Sequence, residues 1–400
     1  MIDDVRELCS FEGRLAGSDA ERRAAKHLAE RLRRTAHRVD VEPTYVHPQW
    51  ALIHAAHTAL GFAGSLVAVA LPPAGFAMVL LAATSLYLDV NARFYLLRPL
   101  FFRRASQNVV ARGRNRITPA RLLIVAHYDA GRTGGAFRPG RVGRFASITR
   151  RLPFLAGPYR VLFWSLAALV PLTGLRMVGV ESDAVAILQL VPTLLLLLAT
   201  FMLVDIQLSE PVPGANDNAS GVAVALSLAQ RLTDDPTHNL DVWVVLTGGE
   251  ECLMEGMRSF VRSHRDDLDR ASTFVLVLDA VGRGEVRYTA SEGPAVSYEM
   301  DRRVLELCTA VAEAERAGNR RFDASPVRHA FATDALAART AKLRATALTT
   351  LEPGALVPSN YHLPADTPTN VDPRALERTR DFALELVRAL DRDVGRATSG

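Results

Sequence analysis

The chain has 400 residues, 47 Lys and Arg against 43 Asp and Glu, and a net charge of +4. That length suits one large domain or two smaller units. The balance is mildly basic, and only Lys26 and Lys342 are lysine. With no aromatic-interleaved basic patch and no finger spacing, a nucleic-acid partner is not expected. Cys9, Cys252 and Cys308 are far apart and odd in number, which argues against a disulfide framework or a thiolate metal site. The opening "MIDDVRELCS" lacks the basic-then-apolar order of a secretory signal, so export of the N-terminus is not expected.

In chain order, residues 19–35 read as a helix leading into the strand "HRVDVEP". Residues 51–71 contain no Asp, Glu, Lys or Arg, and after Pro72-Pro73 the apolar character resumes to Leu88. The pair reads as a hairpin of two spans. "QNVVARG" and "RLLIVAHYDA" then read as short strands. A second apolar block covers Val161–Leu175, breaks at Arg176, Glu181 and Asp183, and continues from Ala184 to Val204. A bilayer core needs roughly 20 apolar residues per helix, a length that 51–71 and 184–204 meet and of which 74–88 and 161–175 fall short. Trp50, Tyr87, Tyr95, Tyr159 and Trp164 fall near the ends of these segments, where amphipathic rings favour the headgroup region. His54 and His57 lie within the first span and receive no role.

Arg93, Arg98, Arg103 and Arg104 follow the first hairpin, and Arg138, Arg141, Arg144, Arg150, Arg151 and Arg160 precede the second. The positive-inside rule places these segments, both termini and the rest of the chain in the cytoplasm. The expected location is therefore a membrane, the bacterial inner membrane, with the catalytic part cytoplasmic and membrane lipid as a partner.

After the second hairpin come a helix from Asp217 to Leu232, the strand "DVWVVLTGG", the strand "TFVLVLDAVG", a helix over 297–316, a helix near 334–342, the strand "LRATALTTL" and a closing helix from Pro373 to about Leu390. Apolar β-branched runs alternating with amphipathic helices predict an α/β fold: a doubly wound, mostly parallel sheet with helices on both faces, interrupted by two transmembrane hairpins. The resulting divisions are 1–49 (helix and strand), 50–104 (first hairpin), 105–137 (sheet domain), 138–206 (basic loop and second hairpin), 207–393 (sheet domain) and 394–400 (tail).

Ligands of such sheets bind at the carboxyl ends of the strands, and the polar residues cluster there. "IVAHYDA" ends a strand with His127 and Asp129, and "GANDNASG" sets Asp217 ahead of a helix. "LTGGEE" ends a strand with Glu250 and Glu251, "LVLDAVG" ends another with Asp279, and "SNYHLPADTP" sets His362 in a late turn. Singly, each has an ordinary structural explanation; Asp217, for instance, suits a helix N-cap. Together, two histidines and three carboxylates are the nitrogen and oxygen donors that a pair of borderline divalent metals needs: zinc, or cobalt or manganese in its place. Such a pair activates water and stabilises an oxyanion. One acid of the Glu-Glu pair is left over for proton transfer.

"AHYDA", "GANDNASG", "GGEE", "LDAVG" and "YHLPADTP" resemble, in order and context, the motifs of the M28 metallopeptidases, the co-catalytic zinc aminopeptidase family. The resemblance covers about 105–135 and 210–390. It implies that Asp217 bridges two zinc ions, that His127 and Asp279 complete one site, and that Glu251 and His362 complete the other. Glu250 resembles the family's general base, and Asp129 the acid that orients His127 through its other ring nitrogen. The asparagines flanking Asp217 would hold the loop without adding charge. The chain departs from the family in the long insert between His127 and Asp217, in Met257 where many relatives have serine, and in "TDALA", which lacks a histidine often found there. The implied activity is release of N-terminal residues from a peptide substrate, with Glu250 as base. The alternatives are a glutaminyl-cyclase-like or other metal-dependent amide hydrolase, or a non-catalytic membrane scaffold. Nothing in the sequence specifies an oligomeric state.

Overall fold

The structure is a computed structural model that describes residues 1–36, 38–113, 118–149, 152–318 and 322–399. The chain enters through α1 (Ile2–Cys9) and α2 (Asp19–Leu32). Ser18 starts α2 by accepting a hydrogen bond from the Glu21 amide, as a serine N-cap does. β1 (Arg38–Val46) follows; the predicted strand began at His37, which lies outside the described residues. Next come α3 (Trp50–Ala70) and α4 (Pro72–Val90), joined by a tight turn where proline, which has no amide hydrogen, sits at the first helical position. β2 (Arg104–Arg112) and β3 (Ala120–His127) lead to α5 (Pro139–Thr149), α6 (Pro158–Met177) and α7 (Asp183–Leu208).

The remainder alternates: α8 (Gly221–Asp234), β4 (Leu240–Thr247), α9 (Glu255–Ser263), β5 (Thr273–Leu278), β6 (Glu285–Glu292), β7 (Tyr298–Glu299), α10 (Arg302–Ala317), β8 (Ser325–Arg328), α11 (Asp334–Thr340), β9 (Arg344–Leu351) and α12 (Pro373–Ser399). Four sequence boundaries need correcting. The helix expected from Asp217 begins at Gly221, because Asp217 (φ −112°, ψ 89°) and Asn218 (φ −140°, ψ 39°) are not helical. The helix expected from 297 begins at Arg302, since Tyr298 and Glu299 pair with β6. The helix expected over 19–35 ends at Leu32. The closing helix continues to Ser399, which removes the separate tail.

The sheet runs β1-β2-β4-β3-β5-β9-β6-β7, with β8 on β6. Its centre is parallel: β3 pairs with β4 and β5, and β5 with β9. The margins are antiparallel, β1 on β2, β2 on β4 and β6 on β9. The central strands are buried on both faces and read as unbroken apolar runs. Leu122, Ile124, Leu276 and Leu278 face α1, α2, α8, α10 and α12. Leu123, Val125, Val275 and Val277 face α9 and α11.

The helices α3, α4, α6 and α7 pack on one another as a bundle with its own apolar interior. All four are long and apolar enough to cross a membrane. Ile187, Leu188, Val191, Leu198 and Phe201 on α7 lie exposed on the outside of the bundle. Inside, polar side chains are paired: Gln189 Nε2 donates to the Ser65 carbonyl at 2.7 Å, Ser65 Oγ lies 2.6 Å from Thr193 Oγ1, and His57 Nε2 lies 2.7 Å from Ser85 Oγ.

The bundle stands on the carboxyl ends of the parallel strands. Arg160 at the start of α6 donates to Ser297 Oγ at 2.7 Å, and Leu253 and Ala295 pack into the bundle core. Arg98, counted in the sequence as an interfacial charge, is instead fully buried against Asp89. Arg150 and Arg151 lie outside the described residues.

Candidate metal centre

Each candidate residue comes from a loop or strand end on this edge of the sheet. His127 is the last residue of β3, Glu250 and Glu251 follow β4, and Asp279 follows β5. Asp217 lies in the irregular turn before α8, and His362 in the turn after β9. All seven residues, including Asp129, fall in one cluster, buried except for the half-buried Glu250 and Glu251.

His127 Nε2 is 3.2 Å from Asp217 Oδ1 and 3.8 Å from Asp279 Oδ1. His362 Nε2 is 3.6 Å from Asp217 Oδ2 and 3.3 Å from Glu251 Oε2. Two trios result, His127–Asp217–Asp279 and Asp217–Glu251–His362, each compact enough to hold an ion. Asp217 belongs to both and turns one oxygen to each. Glu250 stands beside the first trio, with Oε2 3.9 Å from His127 Nε2.

The donor set fits zinc. Nδ1 of His127 lies 3.3 Å from the Asp129 carbonyl and Nδ1 of His362 lies 2.9 Å from the Arg132 carbonyl. Protonated at those nitrogens, both rings turn a lone pair at Nε2 toward the carboxylates. Carboxylates only accept, so lone pairs face lone pairs until a cation lies between them. Glu251 Oε1 is buried without a hydrogen-bond partner. Burial raises the pKa of both Glu250 and Glu251, and neighbouring acids, Asp334 and Asp279 for Glu250 and Asp217 for Glu251, raise it further. Burial would depress His127, but the carboxylates around it outweigh burial and hold its pKa well up.

The backbone around these groups is fixed from several sides. Asp129 accepts the amides of Glu250 and Glu251 at 3.1 Å each, while its Oδ1 is 3.5 Å from His127 Nδ1. Its carboxylate therefore anchors the Glu-Glu turn at least as closely as it touches the imidazole. Asn216 Oδ1 accepts the Gly282 amide at 2.7 Å, and Asn218 spans the Leu278 carbonyl and the Ala280 amide at 2.8 and 3.1 Å. These bonds lash the Asp217 turn to the Asp279 loop. Ala280, next to Asp279, Leu253 and Met254, two and three residues after Glu251, and His362 itself take left-handed backbone, with φ between 52° and 65°. Strain of this kind persists only where the surroundings over-determine it.

Several residues with a part in the site were not singled out from sequence. Asp366 accepts the amides of Asn216 and Asp217 at 2.7 and 3.0 Å, and burial pushes its carboxyl up to about 7; its place in "HLPADTP", four residues after His362, was the available signal. Arg14 is buried and donates to the carbonyls of Tyr128, Leu8 and Gly214. Gly131 leaves space that a side chain would fill: a Cβ there would lie 2.6 Å from His362 Cε1 and 2.7 Å from Glu251 Oε1. Phe137, with its ring 4.5 Å from that of His362, and Tyr361 form an aromatic wall beside the second trio.

A mixed sheet with a histidine and carboxylate cluster at its carboxyl edge defines the zinc exopeptidase class of fold. Residues 199–387 match the profile of peptidase family M28, which supports a metallopeptidase-type hydrolase. Solved structures with the same fold include a Zn-dependent exopeptidase from Parabacteroides distasonis (12% identity, 96% of each chain covered, TM-score 0.55). A zinc aminopeptidase from Bacillus subtilis is similar at 14% identity, covering 96% of this chain and 93% of that one with TM-score 0.55. So is a Bacteroides thetaiotaomicron glutaminyl cyclase bound to N-acetylhistamine, at 12% identity, 96% and 95% coverage and TM-score 0.54. No curated protein matches the sequence.

Proposed function

We propose that the chain is a membrane-embedded zinc aminopeptidase whose catalytic part faces the cytoplasm. The observation that carries the reading is the pair of ligand trios sharing Asp217, with Glu250 beside them and in neither trio. His127, Asp217 and Asp279 would hold one zinc, and Asp217, Glu251 and His362 a second. Bound there, zinc supplies Lewis acidity toward the scissile carbonyl and toward water. Glu250 takes the proton from the attacking water and returns it to the leaving amine. Burial and neighbouring acids raise its pKa, in the direction that favours a proton carrier near neutral pH. Asp129 holds the Glu250 and Glu251 amides, which keeps base and ligand in register. Phe137 and Tyr361 would line the space for the substrate, with an apolar wall on one side.

Membrane embedding is supported by the four apolar helices and by the exposed apolar face of α7. The cytoplasmic orientation is supported by Arg93, Arg103, Arg104, Arg138, Arg141 and Arg144, which lie in the segments joining bundle to sheet.

The test is hydrolysis of a panel of aminoacyl-chromophore substrates and N-terminal glutaminyl peptides by purified protein, with zinc quantified. Expected are about two zinc per chain, release of an N-terminal residue, and a loss of roughly 10²–10⁴-fold in turnover for Glu250→Ala with zinc retained. Cyclisation of glutaminyl peptides with one zinc would replace this reading with the cyclase. Full folding with no zinc bound would leave the scaffold.

A further inference from the structure

We propose that the helical bundle positions one half of the metal centre, gripping the Glu251 and His362 loops through two arginine relays while the sheet positions His127 and Asp279. The proposal rests on the zinc reading above.

The first relay is Arg98. Its buried guanidinium donates from Nε and Nη2 to the two oxygens of Asp89, at 3.0 and 2.6 Å, near the end of α4. Nη1 donates to the carbonyl of Cys252, the residue after Glu251, at 2.9 Å, and lies 3.5 Å from Glu255 Oε2. Behind Asp89 the chain of contacts continues through the bundle: His54 Nε2 of α3 is 3.4 Å away, and His54 Nδ1 is 2.8 Å from Tyr159 OH of α6. Three helices of the bundle are thus linked in series, through Tyr159, His54 and Asp89, to the guanidinium that holds the Glu-Glu turn.

The second relay is Arg132. Its carbonyl lies against His362 Nδ1, and its Nη1 donates 2.6 Å to the carbonyl of Ser209, the residue that ends α7. The segment around it is laced to the same helix end. The Thr133 amide donates to the Glu210 carbonyl at 3.0 Å, and the Gly135 amide to Asp205 Oδ2 at 2.6 Å.

The His127 and Asp279 side draws its geometry from the sheet. His127 and Asp279 adjoin paired central strands, and the Asp217 turn is fixed by Asn218 and Asp366. A buried Arg–carboxylate pair returns little net stability after desolvation. What the Asp89–Arg98 pair supplies is geometry, and the geometry is delivered to a ligand loop.

The experiment uses the full chain in lipid nanodiscs, stripped of zinc and titrated with zinc against a chromophoric chelator. It compares wild type, Arg132→Met, Arg98→Lys and the double variant Asp89→Asn/Arg98→Met, which leaves neither partner of that pair charged. Arg132→Met and the double variant are each expected to weaken one zinc site about 10–100-fold and leave the other within about twofold; Arg98→Lys falls between. Hydrogen exchange of the zinc-free protein is the second readout. It should quicken at 249–255 in the double variant and at 360–363 in Arg132→Met, with β3 and β5 unchanged. Equal weakening of both sites, or faster exchange spread through the whole chain with both affinities intact, overturns the proposal. If wild type binds no zinc, the zinc reading fails, and the local or global pattern of exchange still decides whether the bundle positions these loops.

Discussion

Gly131 and Asp217 show how little room the centre leaves. Asp217 presents one oxygen to each histidine, and Gly131 borders the second trio with only a hydrogen where any other residue would carry a Cβ. Gly131→Ala places that carbon against His362 and Glu251, so the ligands move apart by a fraction of an ångström or more. Turnover is expected to fall on the order of 10²-fold with the fold retained by circular dichroism; unchanged kinetics would show that the pocket yields freely. A second prediction lies far from the centre. His264 Nε2 lies 2.8 Å from Glu42 and its Nδ1 3.1 Å from Asp267. The Glu42 contact raises its pKa and burial only partly opposes the rise. A value above the unfolded one, about 6.5, means that the charged ring contributes its full stability below that pH and loses it as pH climbs through the folded value. The melting-temperature gap between wild type and His264→Gln should therefore be wider at pH 6 than at pH 9, and an equal gap would refute the pairing. At this scale the candidate ligands were legible because they sit at strand ends in short motifs. Asp366, Arg14 and Arg98 were not, because each acts on backbone groups remote in sequence, and such bonds leave no local pattern.

Among the elements, those with long apolar runs were the readable ones. β3, β4, β5 and β9 are buried on both faces and stand out from their polar surroundings. β6 and β8 were missed: "EVRYTASE" mixes charge into its alternation, and "SPVR" is short and contains proline, as edge strands do. α9 was missed because "EGMRSFVRS" is brief and opens beside a glycine. In the bundle the polar side chains join helices. Gln189 receives Arg176 Nε at 2.7 Å on the same hairpin and donates to Ser65 of α3, so one amide ties the two hairpins together. Gln189→Leu is expected to lower stability in mild detergent by about 0.6–2 kcal/mol, read as a shift in thermal unfolding; a variant as stable as wild type would show that packing alone holds α3 to α7.

The whole molecule has two ends. The segments joining bundle to sheet lie at one, and the turns at Leu71 and 178–182 lie at the other. In cells, with Cys9 replaced by serine and Cys252 and Cys308 buried, Ser182→Cys should react with a membrane-impermeant maleimide added outside, and Glu12→Cys only after lysis. The opposite pattern would invert the orientation and put the peptidase outside the cytoplasm.

The order of the chain adds one more consequence. β3 pairs with β4 in parallel, yet α6 and α7 are synthesised between them. On a ribosome, His127 emerges first, then the two long apolar helices α6 and α7, and only afterwards Asp217, Glu250, Glu251, Asp279 and His362. The central ladder closes late, since long-range parallel pairing waits for both strands. A chain in which the two halves of this ladder have not yet met has no assembled ligand set.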